Sequence, residues 1–265
     1  MTHDTSLPRH KFPDPRYAIV LACVGIALFL TTNWDWLPYK RFIDGTTGWG
    51  RAGLIISLAY VPLLLMLTVL TSVVVGVRRV PEAFGLNRPA LPALGFAFAI
   101  TALLPVIYAL MGGLSVAEDS LRDFLTYAVV SGTFEEIAFR AVLVGIPCRV
   151  LGWRFWPTAI IAAVLFGVLH LDQSEDLMES AMIFAITGIG GVWFAWLFRA
   201  WNWNLWVPIG FHVMMNGWWT VFDMDDTALG SWGSIAARGA VVVLSVVLTL
   251  RYVKVSGTIS DSGNV

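Results

Sequence analysis

Charge is scarce in this chain. Only 13% of its 265 residues are Asp, Glu, Lys or Arg, about half the share of an average soluble domain. Hydrophobic residues make up 57%, and mean hydropathy is +0.74. A soluble globular enzyme and a disordered tail are excluded. The formal net charge is -1, and no basic patch reaches the density that phosphate backbones require, so nucleic acid is not expected as a partner. Cysteine is almost absent: Cys23 and Cys148 lie far apart in apolar surroundings, which gives neither a disulfide framework nor a zinc knuckle. No period of 20 to 50 residues recurs, and no soluble domain fits between the apolar runs. The runs do not alternate apolar and polar residues, as the strands of a closed membrane barrel would. No small-x-small cleavage site follows the first run, where Thr31-Thr32-Asn33-Trp34 stands, so that run is taken as a span and not as a signal peptide.

What the chain has instead is long apolar windows, each near the ~20 residues that cross a hydrocarbon core of about 30 Å. They run over Tyr17 to Thr31, Gly53 to Val77, Leu91 to Met111, Leu125 to Pro147, Pro157 to Leu171, Ala181 to Phe198, Leu205 to Phe222 and Ile235 to Tyr252. The expected fold is all-α: a polytopic membrane protein of eight transmembrane helices, one integral membrane domain over residues 1–265 with tails at 1–16 and 254–265. Lys and Arg favour cytoplasmic loops. With the N-terminus inside, 11 of the 17 basic residues fall on that side, from Arg9 and Lys11 through Arg78, Arg79, Arg149 and Arg199 to Lys254. The opposite loops are acidic at Asp172, Glu175, Asp176 and Glu179 and again at Asp223, Asp225 and Asp226, although Lys40, Arg41 and Arg51 break the pattern in the first. Both termini are therefore expected in the cytoplasm. Gly188, Gly190 and Gly191 interrupt a span with no strand before them, which favours close helix packing over a phosphate loop.

The informative charges are those inside a span. The fourth window contains Ser131-Gly-Thr-Phe-Glu135-Glu136-Ile-Ala-Phe-Arg140, and each of its three charges costs roughly 2.5 to 3.5 kcal/mol at a helix centre. Glu136 and Arg140 are four apart and can pair. Such a pair could simply lock two helices. Glu135 points about 100° away from Glu136, so its carboxylate needs another partner or a wet cavity. Two further spans offer candidates: the fifth ends Phe166-Gly-Val-Leu-His170, and the seventh carries His212-Val-Met-Met-Asn216. Counting about 1.5 Å per residue from the helix ends puts Glu135 and Asn216 roughly 14 Å deep, His170 roughly 10 Å and His212 near 20 Å. The four groups are compatible with one level in the membrane.

A carboxylate, two imidazoles and an amide in a low-dielectric pocket suit water-mediated amide hydrolysis: the carboxylate takes a proton from water and the others orient the water and hold the oxyanion. The three motifs, in this order and on separate spans, resemble the CPBP (CAAX protease and bacteriocin-processing, or Abi) family of intramembrane proteases over about residues 125–222. The resemblance implies endoproteolysis of a membrane-anchored or lipid-modified protein or peptide, often near its C-terminus, in a bacterial or archaeal cell membrane. Glu135 then corresponds to the general base, His170 helps to hold the water, and His212 and Asn216 correspond to the oxyanion donors. Glu136 and Arg140 correspond to the supporting pair, with Phe166 opening the second motif.

A metal is a separate question. His170, His212 and Glu135 could supply three zinc ligands with an open fourth position. No His-Glu-x-x-His helix is present, and Asn216 is a better oxyanion donor than zinc ligand, so the expected mechanism uses no cofactor, with zinc as the alternative. Two non-proteolytic readings stay open: an ion- or proton-coupled transporter with a relay through Glu135, His170 and His212, and a scaffold whose polar cluster only locks helices. The transporter reading expects paired broken helices or symmetry between halves, which the sequence lacks.

Overall fold

The computed structural model describes residues 40–112 and 119–256 of the chain. Among these residues every regular element is helical. Seven helical runs cover seven of the eight expected apolar windows: α1 (Gly48–Val75), α2 (Ala90–Gly112), α3 (120–150), α4 (Phe155–Val168), α5 (Leu177–Ala200), α6 (Trp206–Val221) and α7 (Trp232–Ser256). The eighth window, Tyr17 to Thr31, lies outside the described residues, as do the N-terminal tail and Cys23.

Five runs are long and apolar enough to cross a membrane: Gly48–Val75, Ala90–Gly112, Phe155–Gln173, Leu177–Ala200 and Trp232–Tyr252. The expected count of eight is thus not reproduced, and the two exceptions have physical reasons. Helix α3 carries Glu135, Glu136 and Arg140 at its middle. Helix α6 has 16 residues, about 24 Å of helix against a core of about 30 Å. These two runs bear the polar motifs, and the longer apolar helices surround them.

The buried residues explain why α3 and α6 are central. From Glu136 to Val142 every α3 residue is buried. In α6 an unbroken run from Val207 to Val213 is buried as well, whereas α1 and α4 expose Leu65, Val69, Ile160 and Ile161 on their outer sides. Exposed apolar residues on long helices form the surface that faces lipid. Small residues bring the backbones close. A Cβ on Gly210 of α6 would stand 2.8 Å from the Ala97 Cβ of α2, and one on Gly191 of α5 would stand 3.0 Å from the Ala163 Cβ of α4. The packing role expected for the α5 glycines therefore falls on Gly191. A Cβ on Gly190 would meet nothing within 4 Å.

Helix α3 is wound more widely than an α-helix, in π geometry over Phe124–Ser131 and again over Glu136–Gly145, with one α turn at Gly132–Glu135 between them. The i→i+5 pattern concentrates at functional positions in helices, and here it flanks the carboxylates. The two ends of the bundle differ in charge. Arg78, Arg79, Arg88, Arg149, Arg154 and Arg199 lie at the end where Arg149 Nη1 donates to the carbonyls of Glu82 and Ala83 at 3.0 Å. At the other end the two acidic loops join: Thr227 Oγ1 donates to Glu179, and the Ala228 N–H donates to Gln173.

The Gly191 contact yields a stability prediction. Gly191→Leu should cost about 1–3 kcal/mol by overpacking and lower the unfolding temperature in detergent, while Gly190→Leu leaves it unchanged. Equal midpoints for the two variants would contradict the packing assignment.

Candidate active site

The α3 carboxylates meet α6 through His212. Its Nδ1 donates to Glu136 Oε1 at 2.7 Å, and its Nε2 faces Glu135 Oε2 at 3.7 Å. The two glutamates do point differently, as their neighbouring positions require, yet both reach one imidazole because the ring lies across the helix between them. A Cβ on Gly132 would come 3.4 Å from that ring, so the glycine one turn before Glu136 leaves room for α6. Arg140 Nη1 stands 3.1 Å from Glu136 Oε1. Glu136 is fully buried and Arg140 is 1% exposed. The expected pair forms, and His212 joins it.

The pair is held by charge and by aromatic faces. Glu136 Oε2 and both Arg140 Nη atoms are buried without a hydrogen-bond partner among the described residues. The guanidinium carbon lies 4.6 Å from the centre of the Phe166 ring and 5.1 Å from that of Phe194. Cation–π attraction of this kind contributes about 2 kcal/mol when desolvated, and two rings act on one charge. Phe194, from α5, also stacks on His212 with centroids 5.4 Å apart.

Phe166 ties the second motif to the first. Its ring touches Arg140 and meets His212 edge-on at 6.3 Å. One turn later, His170 lies against it at 4.5 Å and donates from Nδ1 to the Phe166 carbonyl at 2.7 Å. A carbonyl only accepts, so that nitrogen carries a proton and Nε2 is left free for another partner. His170 is half-buried and sits two residues beyond the end of α4. It is joined to the cluster through Phe166 and not through a carboxylate.

Glu135 differs from Glu136 in exposure and partners. Its side chain is 26% exposed, and Ser131, one turn before it, donates to Oε1 at 2.8 Å. Asn216 is half-buried one turn along α6 from His212 and makes no side-chain hydrogen bond among the described residues. Depth counting expects Asn216 level with Glu135; the structure brings His212 there instead, since helix ends displaced by a few residues shift such a count by a full turn.

The structure therefore brings together Glu135, Glu136, Arg140, Phe166 and His212, with His170 beside Phe166 and Asn216 one turn along α6 from His212. Sequence reasoning did not single out Ser131, Tyr60 or Phe194. The spacing of Ser131, four before Glu135, was the available signal for the first. Tyr60 of α1 packs its ring on Phe134, with centroids 5.3 Å apart, and Phe194 lies in an ordinary apolar stretch of α5. Of the three residues considered as zinc ligands, Glu135 and His212 face each other at 3.7 Å, and His170 is held at Phe166. No group of three or more His, Cys, Asp or Glu placed to hold a metal occurs among the described residues, and both nitrogens of His212 already face carboxylates.

With this geometry in place, comparison with known proteins becomes informative. Residues 117–218 match the model of a family described as type II CAAX prenyl endopeptidase Rce1-like. The match is consistent with the CPBP family. Within the matched residues lie Ser131, Glu135, Glu136, Arg140, Phe166, His170, Phe194, His212 and Asn216. The chain is also similar to a Bacillus subtilis (strain 168) protein named "Putative membrane peptidase YdiL", 31% identical over 98 residues. That similarity covers 37% of this chain and 36% of the relative, so the chain spans little more than a third of its length. No solved structure matches the chain.

The buried pair of Glu136 and Arg140 can be tested by removing one partner. Arg140→Met leaves the Glu136 charge buried and should cost about 3–5 kcal/mol, with part of the loss recovered in Glu136→Leu/Arg140→Met. Unfolding in detergent reads both variants. A single variant as stable as the wild type would contradict the account.

Proposed function

We propose that this protein is an intramembrane endopeptidase in which Glu135 activates water. The observation that carries the reading is the division between two adjacent carboxylates. Glu136 is sealed between Arg140 and His212, whereas Glu135 keeps a partly exposed edge beside the His212 Nε2. At 3.7 Å the two groups are too far apart for a direct hydrogen bond, and a water lying beside them can contact both.

In the proposed reaction Glu135 takes a proton from this water, and the water oxygen adds to the scissile carbonyl carbon. Asn216 donates to the oxyanion from its amide, and His212, its Nδ1 proton held by Glu136, donates from Nε2 in its imidazolium form, the role in which preorganised donors contribute most. The oxyanion collapses, the C–N bond breaks, and the proton held by Glu135 passes to the leaving nitrogen. The products are a carboxylate and an amine. His170, with its Nδ1 tied to the Phe166 carbonyl, offers Nε2 to the water. The residues that would have to hold zinc are not grouped, and no step here is routed through a metal.

Membrane-anchored or lipid-modified proteins and peptides are the proposed substrates, reaching the site within the bilayer. This follows from the mid-helix position of Glu135 and from the words "CAAX prenyl endopeptidase" in the description of the matching family. The larger share of arginines at one end of the bundle, against acidic loops at the other that also hold Arg122 and Arg238, supports a cytoplasmic basic end, hence both termini on the cytoplasmic side of a bacterial or archaeal cell membrane.

Two outcomes follow. Comparing membrane peptides from cells that carry wild-type or Glu135→Ala protein should reveal fragments that only the wild type releases; identical peptide profiles would refute proteolysis. For topology, Gln173→Cys in the exposed acidic loop should react in intact cells with a membrane-impermeant maleimide. Labelling only after lysis would reverse the proposed orientation.

A further inference from the structure

We propose that the cavity between the first turns of α1 and α3 is the headgroup site of a zwitterionic phospholipid, with Arg51 on the phosphate and Asp119 on a primary ammonium group. The cavity holds about 410 Å³ and lies between Thr47 and Arg51 on one side and Asp119, Arg122, Asp123 and Tyr127 on the other. Pockets for small ligands run from about 300 to 1,000 Å³.

The charges lining the cavity are not equivalent. Arg122 is committed: its Nη1 meets Asp119 Oδ2 at 2.8 Å, and its Nε and Nη2 donate to the two oxygens of Asp123 at 2.8 and 3.0 Å. Arg51 is exposed, and its side chain has no partner among the described residues. Both Asp123 oxygens are taken by Arg122, whereas Asp119 uses only Oδ2 and its side chain is 62% exposed. The cavity therefore offers one free guanidinium and one free carboxylate oxygen. A plain anion would also meet Asp119 and Asp123, and a plain cation would also meet Arg51 and Arg122. A ligand that carries both signs matches the lining. Guanidinium binds phosphate oxygens through paired N–H groups, and a primary ammonium donates to Asp119 Oδ1. Thr47, whose side chain makes no capping bond at the start of α1, adds a hydroxyl.

The position of the cavity selects a lipid over a soluble ligand. Both α1 and α3 begin at it, with Gly48 and Ser120, so it lies where membrane helices leave the hydrocarbon. Trp49, Leu121, Leu125 and Tyr127 are exposed around it. Amphipathic aromatic rings lie at headgroup level, and the apolar side chains offer contact to acyl chains. A headgroup held here bridges α1 to Phe124–Ser131, the first π-wound stretch of the helix that carries Glu135. Lipid binding at this place does not depend on the proposed proteolysis, and its test needs no substrate.

The test is native mass spectrometry of the full chain released from detergent, titrated with phosphatidylethanolamine, phosphatidylcholine or phosphatidylglycerol. The wild type should bind one phosphatidylethanolamine more tightly than either other lipid, since phosphatidylcholine has no N–H to donate and phosphatidylglycerol carries no positive charge. Arg51→Gln changes an exposed side chain that holds nothing else in place, and it should weaken this binding by about tenfold, the equivalent of one charge-assisted hydrogen bond. Asp119→Asn should bring phosphatidylethanolamine down to the level of phosphatidylcholine. Equal binding of the three lipids by the wild type would overturn the proposal, as would unchanged binding in Arg51→Gln. Glycerophosphoethanolamine, the same headgroup without acyl chains, should bind far more weakly. Affinity equal to that of the lipid would make the ligand a soluble phosphate ester and would overturn the lipid assignment.

Discussion

The buried contact of Glu136 with Arg140 and His212 is the constraint on which the rest of the site depends. Two charges at the centre of a membrane helix are costly alone, and here they offset one another across a single helical turn while an imidazole from α6 takes the same carboxylate oxygen. Phe166 and Phe194 then close over the guanidinium from α4 and α5. Four helices are fixed by one ion pair. The Glu136 bond also sets the His212 ring, and the ring in turn sets which edge of the imidazole Glu135 meets.

This arrangement explains why two neighbouring glutamates can differ in role without differing in chemistry. Glu136 spends its accessible oxygen on permanent partners and has no opening to water. Glu135 lies one position earlier, at the end of the α turn between two π-wound stretches, and keeps an exposed edge. The wide winding and the small Gly132 let α6 approach closely enough for one imidazole to touch both. A sealed carboxylate and a partly exposed one thus share a helix and a ring.

Much of this was legible in the sequence because charge is scarce. Glu135, Glu136 and Arg140 could be found as misplaced charges, and the i, i+4 pairing of Glu136 with Arg140 follows from helix geometry alone. Phe166 and His170 were readable as one turn of one face. Contacts between helices were not readable at that level. Spacing along α6 does not say whether His212 or Asn216 turns toward α3, and an aromatic in an apolar stretch gives no sign that it covers a charge, as Phe194 does. Tyr60 is one aromatic ring in a long apolar helix, and its packing on Phe134 exists only once α1 lies against α3. Seven of the eight apolar windows are helical among the described residues; five of them are long and apolar enough to cross a membrane, while α3 carries charges at its middle and α6 is short, so the count of eight is not confirmed.

The division of labour between the two glutamates is the central claim, and unfolding of Glu135→Gln and Glu136→Gln in detergent, measured side by side, tests it most directly. The account predicts that Glu136→Gln, which leaves Arg140 buried without its counter-charge, unfolds at a clearly lower temperature, while Glu135→Gln unfolds close to the wild type. Equal losses in both variants, or a larger loss in Glu135→Gln, would contradict it.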